Sequence, residues 1–141
     1  MLNIDQAAQN LSSYSARYQS LRNIFGVFQQ AIETSNKAQF PVKGISVNTD
    51  SHTTCHVQFL DRRYVVIFTV ANDQGAQMGK ISMCREHGDG TRDKTDIGGV
   101  TFNGQGILDI QQPVGADAMM LNDDTTCIKL LLNWLVKDVS A

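Results

Sequence analysis

Tyr64-Val65-Val66-Ile67-Phe68-Thr69-Val70-Ala71 is the stretch from which the fold can be worked out. It is rich in β-branched and aromatic residues, which fit the pleated surface of a strand. Side chains alternate across a strand, so Val66, Phe68 and Val70 point one way and Val65, Ile67 and Ala71 the other. Both sets are apolar, which places the strand mid-sheet with neither face open to water. Burying one Val, Ile or Phe side chain contributes about 1.5–3 kcal/mol, so an uncovered face forfeits several. Two arrangements meet this demand. Either one helix covers each face, or both helices lie on one face and a second subunit closes the other.

Outward from this strand, further short runs rich in Val, Ile, Thr and Phe cover Val42 to Asn48, Thr53 to Leu60, Gln77 to Arg85, Ile97 to Phe102 and Gly106 to Gln111. Turn signals separate them at Asp61-Arg62, Asn72-Asp73-Gln74-Gly75 and Asn103-Gly104-Gln105-Gly106. Such short turns join antiparallel neighbours, so the middle of the chain reads as a meander of five or six strands. Towards the C-terminus, Asn122-Asp123-Asp124-Thr125 is a dense cluster of helix N-cap residues. Behind it Cys127, Ile128, Leu130, Leu131, Leu132, Trp134, Leu135 and Val136 leave only Lys129, Asn133 and Lys137 to face water. That helix is expected to be buried on more than one side. Met119-Met120-Leu121, just before it, is expected to tuck beneath it.

At the other end the helical period is countable. Ile4, Leu11, Tyr18, Phe25 and Ile32 fall seven apart, and Ala7, Tyr14, Leu21 and Phe28 fill the alternate positions. No proline interrupts the stretch, which predicts one amphipathic helix of about 45 Å, longer than a small domain is wide. The strict 3.5-residue period invites helix-to-helix self-association through Tyr14, Tyr18, Leu21, Phe25 and Phe28. Against that, the flanking positions hold no complementary charge pairs, and Ile24 and Val27 widen the stripe as packing on a sheet requires. The expected architecture is therefore α+β in a single domain over residues 1–141: a long N-terminal helix, an antiparallel meander and a buried C-terminal helix.

Composition narrows the class. The 141 residues are 42% hydrophobic and 18% charged, too apolar for a disordered tail. A net charge of -2 argues against a dedicated nucleic-acid binder, and Arg62, Arg63 and Lys43 make a weak case for one. The N-terminus shows no basic and apolar leader, and no run approaches a membrane span, so a soluble, cytoplasmic protein is expected. The three cysteines, Cys55, Cys84 and Cys127, are odd in number and widely spaced, which reads as buried reduced thiols rather than a disulfide framework.

The motifs that resemble chemistry fail on spacing. His52-Thr53-Thr54-Cys55-His56 would share a helix face, but on a strand four residues span about 13 Å, too wide for two ligands of one ion. Cys84 and His87 are close in sequence, yet Cys84 belongs to an apolar strand where burial keeps a thiol inert. No catalytic residue, metal or cofactor is expected. The densest polar stretch, Arg85 to Asp96, matches neither a calcium loop nor a phosphate loop and reads as a hairpin loop, a place where binding residues often sit. Between Thr95 and Ile128 there is no Lys or Arg, while five aspartates give that segment -5. A partner with a basic surface would be steered towards it if the fold gathers those carboxylates.

These observations select a protein-interaction module that binds or inhibits another macromolecule, non-enzymatic and self-associating into a homo-oligomer. Its candidate binding residues are His87, Asp89, Arg92, Asp93, Asp96, Asp109 and Asp117. The alternative is a small-molecule-binding protein or small enzyme, with a pocket between the curved sheet and a helix and residues 87–96 at its mouth.

Overall fold

The computed structural model describes residues 1–37, 42–73 and 75–141. Asn3 starts the first helix: its side-chain oxygen accepts from the Gln6 N–H at 2.8 Å, and the Gln6 side chain accepts from the Asn3 N–H at 3.2 Å. This reciprocal cap satisfies two backbone donors that have no helical partner. From it α1 runs Ile4–Lys37 without a break, 34 residues and about 50 Å. Five strands follow, β1 (Ile45–Asn48), β2 (Thr54–Phe59), β3 (Arg62–Asp73), β4 (Ala76–Glu86) and β5 (Gly98–Phe102), and α2 (Asp124–Val139) closes the chain. The α+β order expected from the sequence is present.

All strand pairs are antiparallel, and sheet order equals chain order, β1-β2-β3-β4-β5. The decisive strand is central, with Val66 paired to Cys55 on β2 and to Met83 on β4. Residues 106–111, read from sequence as a possible sixth strand, make isolated bridges only: Leu108 lies opposite Phe102, and Ile107 opposite Met120. The β2–β3 turn is tight, Phe59 pairing with Arg62, and places Leu60 at φ 56, a conformation a leucine rarely adopts. Of the expected turn at Asn72-Asp73-Gln74-Gly75, Gln74 lies outside the described residues.

Both helices lie on the same face. Phe25 stacks on Phe68 at 5.4 Å and on Phe28 at 5.8 Å, and Phe68 meets Phe102 at 6.3 Å. Leu131, Trp134 and Leu135 of α2 join that same core. Gly98 leaves room for the Trp134 ring, which a Cβ there would strike, and Gly79 does the same for Phe102. The space between sheet and helices is thus filled with aromatic and branched side chains. Asp123 caps α2, accepting from the Thr125 N–H and the Thr126 hydroxyl.

Among the described residues, the opposite face carries no helix. Val65 is nevertheless fully buried, and Cys84 and Ser82 nearly so, while Ile67 and Ala71 are half-buried. Val65 stands in register between His56 and Cys84. His56 lies 3.6 Å from both Asp50 and Glu86, and Glu86 lies 4.0 Å from Arg92, so polar side chains of the sheet shelter its apolar centre. Of the two helix placements open in the sequence, the one with both helices on one side is found; the second subunit that went with it is left to the proposal below.

Candidate functional site

The long apolar stripe of α1 has two fates. Its C-terminal half packs down: Leu21, Phe25, Phe28 and Ile32 are fully buried against the protein's own sheet. Gln29 fixes the register there, donating to the carbonyls of Ser51 and Thr54 at 2.8 and 3.2 Å. Arg22 folds over Gly26 to reach the His52 carbonyl at 3.0 Å. The N-terminal half extends past the sheet. Tyr18 still rests its ring 5.7 Å from Phe68 and is 42% exposed, while beyond it Tyr14, Leu11 and Ile4 are 57%, 67% and 86% exposed on the continuation of the same stripe. Between Asp5 and Arg17 that half carries no charge. Of the expected self-association residues, Tyr14 and Tyr18 are therefore at the surface, while Leu21, Phe25 and Phe28 are enclosed in the core.

The loop after β4 is tied to itself. The Asp89 carboxylate accepts from the Thr91 N–H at 3.0 Å and the Thr91 hydroxyl at 2.6 Å, and those bonds hold it below the ordinary carboxylate range. His87 contacts Asp93 through its ring and receives Gly90 on its carbonyl. Asp93 is anchored to the Arg85 carbonyl, and Arg92 reaches back to Glu86. Four of the candidate binding residues, His87, Asp89, Arg92 and Asp93, are thus held in one tight turn. Asp123 and Asp124 serve the start of α2, Asp117 is exposed in the connection from 110 to 118, and Asp96 lies 3.9 Å from Lys80.

Asp96 and Asp109 do share one feature, a groove along the outer edge of β5. Its floor is the backbone of residues 97–101 and its wall is the α2 face of Leu130, Trp134 and Lys137, enclosing about 530 Å³. Sequence reasoning missed this groove. The available signal was the Gly98-Gly99 pair inside a strand, since glycine there often marks a close approach of another group.

The three thiols are free and buried. Burial pushes Cys55 up to about 11 and Cys127 up to about 12, and raises Cys84 as well, which leaves each a poor nucleophile. Among the described residues, no group of three or more His, Cys, Asp or Glu side chains is placed to hold a metal ion. Among them also, no helix is long and apolar enough to cross a membrane. Compared with known protein families, with curated proteins and with solved structures, the chain matches none, so its function is read from its own geometry.

Proposed function

We propose that the protein is a non-enzymatic interaction module of the cytoplasm that binds or inhibits another macromolecule and associates with itself through the projecting half of α1. One observation carries this reading: beyond Tyr18, whose ring rests partly on Phe68, Tyr14, Leu11 and Ile4 continue the core stripe into solvent. The projecting half propagates from the packed half without a new nucleus, so its end turns can fray in water, and a surface laid against them would add stability. Each large apolar side chain covered there contributes up to about 1.5–3 kcal/mol. The stretch from Gln6 to Ala16 contains no charged residue, so like charges do not oppose a second copy. The unpaired, buried cysteines support a reducing compartment.

Solution mass tests the proposal. Sedimentation from about 1 to 100 µM should show an oligomer forming with concentration. The Leu11→Asp/Tyr14→Asp variant should stay monomeric, with the melting midpoint of the dilute unaltered protein, because neither side chain belongs to the core. It should also fail to retain any protein that co-purifies with the unaltered chain. A wild-type monomer throughout, or association that ignores the double substitution, would overturn the reading.

A further inference from the structure

We infer that the groove between β5 and α2 receives an extended segment of another protein, added to the sheet as a strand. The edge of β5 is half occupied by the chain itself. Phe102 lies opposite Leu108 in antiparallel register, the Asp109 N–H donates to the Thr101 carbonyl at 2.9 Å, and the Asn103 N–H donates to the Ile107 carbonyl at 3.0 Å. This end of the edge therefore already accepts a strand-like segment. After Asp109 the chain turns away, and Ile110 contributes to the groove wall.

Backbone groups of a strand face its two edges alternately. Because the Thr101 carbonyl points away from β4, the N–H and C=O of Gly99, two residues earlier, point the same way. Gly99 is exposed and carries no side chain to screen them. Edge strands are usually blunted by charge, proline or a covering segment. The Gly98–Phe102 strand has neither charge nor proline, and its cover stops at Thr101.

The walls specify the guest. A residue opposite Gly98 or Val100 points towards Leu130 and Trp134, so an apolar side chain suits that position. Lys80 is within 3.9 Å of Asp96, whereas Lys137 makes no ion pair among the described residues. Trp134 covers Gly98, and Lys137, one turn further along α2, stands at the Ile97 end of the groove, with Asp109 at the Thr101 end. A segment running antiparallel to β5 enters beside Asp109 and leaves beside Lys137. The preferred partner segment is therefore apolar at alternate positions, basic towards its N-terminal side and acidic towards its C-terminal side. This site shares no residue with the helical stripe, so either can fail without the other.

The test uses a blocked peptide of about six residues, alternating valine and threonine, with lysine first and glutamate last. Amide resonances of the full chain should shift saturably at Gly99 and Thr101, together with the Trp134 indole. The peptide with its two charged ends exchanged should bind about threefold more weakly, and Lys137→Glu should erase that difference. N-methylation of the backbone positions facing Gly99 should abolish binding. No shift up to about 1 mM peptide, equal binding of the N-methylated peptide, or shifts confined to β1 would each overturn the inference. Shifts at Gly99 that grow with protein concentration alone would assign the groove to a second copy and overturn it too.

Discussion

Asp138, near the end of α2, accepts the Tyr64 hydroxyl at 2.6 Å and the Arg62 guanidinium at 2.9 Å, with Arg85 at 3.8 Å. These contacts pin the last helical turn to the start of β3. Burial works against the ionised carboxyl, but the bonds from Tyr64 and Arg62 prevail and hold Asp138 below its ordinary range. Tyr64 is fully buried; burial and the neighbouring carboxylate push its hydroxyl up to about 12 from an ordinary 10.0. The signs follow by linkage. The contribution of Tyr64 is whole below pH 10 and is lost as pH rises through about 12, whereas that of Asp138 is whole above the ordinary carboxylate value and is lost in acid. Tyr64→Phe should cost about 1.5–3 kcal/mol at neutral pH, the worth of a bond to a charged group. It should also flatten the alkaline limb of a denaturant-melting series taken at rising pH. None of this was visible in the sequence, where Tyr64 and Asp138 are 74 positions apart. The same holds for Leu60: Asp61-Arg62 read as a turn, but nothing in the residue types announced a leucine in the left-handed region.

At the scale of elements, α1 is two objects with one sequence pattern. Leu21 to Ile32 hold the sheet, and residues 1–14 contribute no buried side chain. Removing residues 1–14 should leave the melting temperature of dilute protein within a few degrees of the full chain. Phe25→Ala, by contrast, should cost about 3–5 kcal/mol, because it opens a cavity between Phe28 and Phe68. Thermal melts of the two variants side by side check both statements. Periodicity predicted the helix well, since a seven-residue spacing of apolar side chains is a local property. It could not say which half has a partner, because Leu11 and Phe25 occupy equivalent places in the repeat. The α2 cap at Asp123 was legible for the opposite reason, as the capping bonds are made within three residues. The run at 106–111 misled because its apolar residues bridge both Phe102 and Met120 without forming a continuous ladder with either.

For the whole molecule, the alternation of Val65 to Ala71 showed that both sides of the sheet need shelter, and the meander order followed from the turns. What it left open was how the helices are shared between the faces, which depends on long-range packing. Both went to one side, with Phe68 beneath α1 and Gly98 beneath Trp134. The other side is closed around Val65 by its own His56 and Glu86, so a second subunit is not needed merely to bury that residue. The partner surface we propose is instead the projecting helix. Candidate site residues were legible only in part for the same reason: Tyr14 and Tyr18 follow from the heptad, whereas the edge groove joins residues from β5, α2 and the 109–110 segment. Amide hydrogen exchange over α1, measured at low and high protein concentration, tests the account most directly. Residues 21–36 should be protected at both concentrations. Residues 7–14 should exchange quickly when dilute and slow at least about tenfold when concentrated, an effect lost in Leu11→Asp. Equal, rapid exchange of residues 7–14 at both concentrations, with 21–36 still protected, would contradict it.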